Sequence, residues 1–211
     1  MTIDAWLQRL ALAALAMLGG TTLLPAALST PDQSMVGREF LTGQLLVAAP
    51  SMGDPRFDHT VVLVVRHDAS GALGLVINRP VGEQSVARVL ELLGEKESAA
   101  AGSIRVFLGG PVQPEIGFVI HSGDYHLGGD VNIDGRVAVT VGADLLAVLR
   151  DIGGNRGPQK SLLAFGYAGW GPGQLEFEMT NHVWTTVPEE PSMVFDEDRE
   201  KLWERASMRR T

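Results

Sequence analysis

From Phe40 onward the chain alternates short apolar runs with clusters of Gly, Pro, Asn and Asp, the pattern of strands separated by turns. The first predicted strand covers residues 44–49, and Pro50 stops it. Residues 60–65 form the second, whose Val-Val-Leu-Val-Val core is apolar throughout and predicts burial on both faces. Asp68-Ala69-Ser70-Gly71 is a turn signal, 72–77 is a third strand, and Asn78-Arg79-Pro80 ends it. The close spacing of the second and third strands predicts a hairpin. Residues 104–108, 117–121, 137–141 and 161–166 follow as strands. Residues 174–179 alternate like an exposed strand, and 193–195 read as a short one.

Helical spacing appears in three places. In 85–93, Val86, Val89, Leu90 and Leu93 fall at i, i+3, i+4 and i+7, with Ser85 as N-cap and Gly94 as the stop. In 143–152, Leu145, Leu146, Leu149 and Ile152 share one face, and Gly153-Gly154-Asn155-Arg156-Gly157-Pro158 ends it. Asp196 starts a last helix in which Leu202, Trp203 and Ala206 dock. Grouped strands with few intervening helices predict an α+β single domain: a mixed, curved or partly closed β-sheet flanked by helices.

Residues 1–35 form an apolar extension ahead of this domain, which spans 36–211. No charged side chain stands between Arg9 and Asp32. Three readings are open. The apolar centre and Pro25-Ala26-Ala27-Leu28-Ser29 fit a secretory signal, although Asp4 offsets Arg9 at its start. Residues 10–28 approach a membrane span, diluted by Gly19-Gly20-Thr21-Thr22 and Pro25. A start at Met35 removes the segment altogether. A cytoplasmic location is expected, with export or anchoring through the extension as the alternative; residues 1–33 supply the only expected membrane contact.

Composition narrows the chemistry. With 211 residues and 45% hydrophobic content, the chain sustains a sizeable core. Lys and Arg total 17 against 25 Asp and Glu, a net charge of −8, which argues against broad binding to nucleic acid. The absence of cysteine excludes a disulfide framework, a thiolate nucleophile and a cysteine-based zinc site.

Five histidines are present: His59, His67, His121, His126 and His182. None lies in an HExxH pattern, and His121 and His126 with Asp124 or Asp130 fall short of a metal site, so no metal is expected. No GxSxG elbow or GxGxxG loop occurs, and Gln159 stands where a phosphate loop ending in Lys160-Ser161 requires glycine. Residues 54–59 crowd titratable groups into one loop, in which Asp54 is expected to cap its own turn. The densest segment is 166–176, where glycines and Pro172 surround Tyr167 and Trp170. It reads as a tight turn that either walls a ligand pocket or packs Trp170 over a sheet edge.

These residues carry a family resemblance. Gly43-Gln44-Leu45-Leu46-Val47-Ala48-Ala49-Pro50-Ser51-Met52, Asp54-Pro55-Arg56-Phe57 and Gly71-Ala72-Leu73-Gly74-Leu75-Val76-Ile77-Asn78-Arg79-Pro80 stand in order. Gly109-Gly110-Pro111-Val112, Gly117-Phe118-Val119-Ile120-His121, the 166–176 segment and Asn181-x-x-Trp184 follow. Together they resemble the AlgH/YqgE family of uncharacterised bacterial proteins. The resemblance implies an α+β fold with a barrel-like sheet and a cytoplasmic bacterial protein. Its customary label, a transcriptional regulator of alginate synthesis, names no mechanism, and it supplies no catalytic residues.

The expected function is a non-enzymatic regulatory or binding module without a cofactor. Asn78, Arg79, Gly109, Gly110, Gly169 and Trp170 are expected to gather at one end of the sheet. There Arg79 either forks onto a small anionic ligand or partner protein, or pins loop carbonyls. The alternative is a hydrolase using His59, His67 or His121 with a nearby aspartate. The basic residues Arg199, Lys201, Arg205, Arg209 and Arg210 interleave with Glu197, Asp198, Glu200 and Glu204, a solvated, salt-bridged helix rather than a nucleic-acid face.

Overall fold

The computed structural model describes residues 40–96 and 98–209. The apolar extension with its signal and anchor readings, Glu97 in the polar loop, and Arg210 and Thr211 lie outside them. Ten strands form one sheet: β1 (Gln44–Ala48), β2 (Val61–Asp68), β3 (Gly71–Val76), β4 (Pro80–Ser85), β5 (Ser103–Leu108), β6 (Val112–Ser122), β7 (Val131–Asn132), β8 (Val137–Val141), β9 (Ser161–Trp170) and β10 (Trp184–Pro188). Among the described residues, five α-helices accompany them: α1 (Val86–Leu92), α2 (Leu145–Gly153), α3 (Gln174–Thr180), α4 (Pro191–Val194) and α5 (Leu202–Met208). The chain is an α+β protein.

The strand path runs β10-β1-β2-β3-β9-β6-β8-β7, with β4 and β5 off it. All pairs are antiparallel except β5 with β9, so the sheet is mixed. β9 is the spine. Its first half holds β6 on one edge, while β5 and β3 follow one another along the other, at Leu163–Phe165 and Ala168–Trp170 respectively.

Alternation sorts the strand side chains into layers. Leu45, Val47, Val61, Leu63, Phe107, Ile120, Leu162 and Ala164 face an inner core, stoppered by Met193, Val194, Leu202 and Ala206 from α4 and α5. Leu46, Ala48, Val62 and Val64 face outward, where α3 covers them with Leu175. Ile104, Val106, Val119, Leu163 and Phe165 face outward under α1 and α2. The second strand is therefore buried on both faces, as its unbroken apolar run requires.

The β2–β3 hairpin forms with Ser70 N–H on Asp68 Oδ1 at 2.8 Å. α1 starts with Ser85 Oγ accepting from Arg88 N–H. Other expectations are corrected. Residues 174–179 are helix, not exposed strand: Gly173, at φ +74°, stands at the helix N-cap, and Gln174 Nε2 donates to Glu178 Oε1 across one helical turn at 2.9 Å. Residues 193–195 belong to the end of α4, which Pro191 starts with its preset φ. The last helix begins at Leu202, not Asp196. Residues 166–170 continue β9 rather than turning; Gly166, at φ +73°, accompanies the register shift against β6 between Val112 and Gly117.

Candidate functional site

An open cleft of about 330 Å³ lies over the outward face of β9 and β10. Its lining includes Met52, Arg56 and Phe57 from the loop after β1, Pro111 at the start of β6, and Trp170 and Trp184. Glu178 of α3 organises it. Its Oε2 accepts from both indoles, Trp170 Nε1 at 2.8 Å and Trp184 Nε1 at 2.7 Å. The rings meet edge to face at 5.9 Å, and Phe57 stands edge-on to Trp184 at 5.6 Å. One carboxylate thus fixes two aromatic planes contributed by different strands.

Arg56 forms the rim. Its Nε and Nη2 hold the Asp54 carboxylate at 3.0 and 2.7 Å, and its own N–H donates to Asp54 Oδ1 at 2.9 Å. Asp54 caps its turn as its position suggested, and these hydrogen bonds hold its carboxyl below the usual range. Arg56 remains 65% exposed, with Nη1 outside the Asp54 pair.

The predicted surface residues divide into three sets. Gly169 and Trp170 line the cleft directly. Asn78 and Arg79 hold the loop that carries Phe57: Asn78 accepts from Val61 N–H and donates to His59 O, both at 2.8 Å, and Arg79 Nη2 donates to Asp58 O at 2.8 Å. Arg79 thus makes the carbonyl-pinning contact, one of its two expected roles. Gly109 and Gly110 cross β9 so closely that an added Cβ would stand 2.3 Å from Gly166 O and 2.1 Å from Tyr167 C. This crossing delivers Pro111 to the cleft wall. Neither Glu178 nor Trp184 stands out in the sequence as a site residue. Asn181-x-x-Trp184 was their nearest signal: Asn181 Nδ2 closes α3 on Phe177 O at 2.8 Å, turning the chain into β10.

The three histidines considered for hydrolysis lie in separate places. His59 is exposed, with Nδ1 2.7 Å from Asp58 and its ring against Trp203. His67 is buried; its Nδ1 accepts from Leu41 N–H, and its Nε2 lies 3.6 Å from Glu176. His121 is buried between Ser122 O and Thr140 Oγ1, each at 3.0 Å, and Thr140 reaches Asp130 at 2.5 Å. Nearby, burial and then the hydrogen bond to Asp151 push the Tyr125 hydroxyl up to about 12. Among the described residues, no group of three or more His, Asp or Glu side chains is arranged to hold a metal ion.

The basic cluster of the last helix is dispersed into pairs. Arg199 is buried, donating to Ile77, Met193 and Val194 carbonyls and lying 5.2 Å over Phe107; burial pulls it down to about 10. Arg205 pairs with Asp196 and Arg209 with Glu190. Among the described residues, no helix is long and apolar enough to cross a membrane.

The chain is thus a mixed β-sheet with short helices packed on it and a carboxylate-held tryptophan pair beside it. The chain belongs to the AlgH-like family, whose model matches residues 45–211. It is 44% identical to UPF0301 proteins of Sphingopyxis alaskensis, over 79% of this chain and 87% of that protein, and of Caulobacter vibrioides, over 80% and 86%. The solution structure of the AlgH protein from Pseudomonas aeruginosa superposes with a TM-score of 0.67 at 36% identity, covering 86% of this chain and 92% of that one. The crystal structure of protein DIP2367 from Corynebacterium diphtheriae shares the fold, with a TM-score of 0.62 at 24% identity over 84% and 91%.

Proposed function

We propose that this protein is a non-enzymatic binding module whose seat is the tryptophan cleft, and that its ligand is a small anion with a flat apolar body. The observation that carries the reading is the Glu178 clamp, which sets both indoles in place before any ligand arrives. Preorganised aromatic surface binds without an ordering cost. Met52, Phe57 and Pro111 extend the apolar lining, and the free side of Arg56 offers the cation. No hydroxyl nucleophile is paired with a base among the cleft residues, and a hydrolase built on His59, His67 or His121 draws no support from their placement. A cytoplasmic setting belongs to the same proposal, and cell fractionation checks it.

The probe is 1-anilinonaphthalene-8-sulfonate, which combines a flat apolar body with one negative charge. Saturable binding at one site per chain is expected, with quenching of tryptophan emission. Arg56→Ala weakens it roughly tenfold, the scale of one charge-assisted contact. Gly53→Phe is expected to weaken it, because Gly53 lines the cleft and a Cβ there meets no atom within 4 Å, leaving the added ring free to crowd the opening. Unchanged binding by both folded variants would overturn the reading.

A further inference from the structure

The two ends of the strand path meet at one point. Glu189 follows directly on β10, and the turn joining β7 to β8 carries Asp134 and Arg136. Arg136 Nη2 donates to Glu189 Oε2 at 3.2 Å and to Glu189 O at 3.3 Å, while its Nε donates to Asp134 Oδ2 at 2.6 Å. Asp134 Oδ1 also accepts the N–H groups of Arg136 and Val137, at 2.9 and 3.3 Å. A second contact spans the same seam: Ile133 Cγ2 lies 3.1 Å from where a Cβ on Gly43, one residue before β1, would sit.

Glu189 is 4% exposed, and its Oε1 is buried without a hydrogen-bond partner. Beside it lies the Asp134 carboxyl: one nitrogen, Arg136 Nη2, meets Asp134 Oδ2 at 2.5 Å and Glu189 Oε2 at 3.2 Å. Two carboxylates held against one guanidinium nitrogen repel each other when both are ionised, so the site favours a single proton. Burial works against ionised Asp134, but the hydrogen bonds from Arg136 and Glu189 outweigh it and hold its carboxyl below the usual range. The proton therefore falls to Glu189, whose side chain is 2% exposed against 30% for Asp134. Burial first, then the hydrogen bond to and charge of Asp134, push its carboxyl up to about 7, against the opposing pull of Arg136. The remaining charged neighbour is Glu190, which Arg209, just after α5, holds at 2.7 Å; β1, the strand β10 pairs with, carries no charge.

We propose that Asp134 and Glu189 form a proton-operated clasp, which fastens the β7–β8 hairpin to the β10 end of the sheet and loosens when their shared proton leaves. The clasp is independent of the ligand cleft and stands whether or not that cleft binds an anion.

The sign follows from the position of the proton. The closed clasp holds it up to about pH 7, whereas an opened Glu189 releases it near its ordinary value. Stability of the closure is fully present below that ordinary value and is lost as pH rises to about 7, with no further change above. Amide hydrogen exchange of the full chain, followed by NMR with the intrinsic pH dependence divided out, reads the opening. For Val131, Asn132 and Ile133 the opening constant is expected to rise more than roughly tenfold between pH 5 and pH 7, then level off. Glu189→Gln keeps a donor for Asp134 but cannot titrate, and flattens the profile. An equal rise in Glu189→Gln, or no rise in the unmodified protein, overturns the clasp. The ¹³Cδ titration of Glu189 in the unmodified chain gives a second measure: a midpoint near 7 supports the proposal, and one near 4.5 removes it.

Discussion

At the scale of single residues, the cleft depends on Glu178 more than on the aromatic rings it holds. Trp170 and Trp184 come from different strands, and both indole N–H groups spend their only donor on one oxygen. Glu178→Leu leaves two largely buried donors unsatisfied, each costing about 1–3 kcal/mol. A loss of about 3 kcal/mol in denaturant unfolding is expected, with a changed tryptophan emission spectrum in the folded state. The sequence disclosed Trp170 through its glycine-rich surroundings but gave no sign of Glu178 as a site residue. Local spacing shows that a glutamate lies on α3, yet only the return of β10 beside β1 brings Trp184 to it. Arg199 is a second instance. Its charged neighbours suggest a solvated helix, while its guanidinium is buried against three carbonyls whose positions no local pattern encodes.

At the scale of elements, legibility follows how far the determinants of each element are local. α1 carries both its apolar spacing and its cap, and was readable. Ser85→Ala removes the cap and is expected to cost about 1 kcal/mol, measured as a lower urea midpoint with unchanged slope. α3 misleads because Gln-Leu-Glu-Phe-Glu-Met alternates in polarity while burying only Leu175. A short surface helix with one buried residue has no stripe to detect. β4 escaped notice for the opposite reason. Its Pro-Val-Gly-Glu-Gln-Ser sequence has little apolar content, and its pairing with β5 makes it a strand. β10 is similarly assigned by its partner β1.

At the scale of the whole molecule, the general outline was present in the sequence: grouped strands, doubly buried runs and helices outside them give the α+β class. The contact between the two ends of the strand path was not, because Glu189 and Arg136 are 53 residues apart. The way β9 serves both β3 and β5 along one edge has a consequence for folding. Neither half of the sheet has a boundary strand of its own there, so neither can melt while the other persists without stripping the strand they share. Such a chain loses its structure in one step. Trp170 and Trp184 over one half and Tyr125 beside the other are expected to report the same denaturation midpoint, and two separated midpoints would mean that the halves come apart independently.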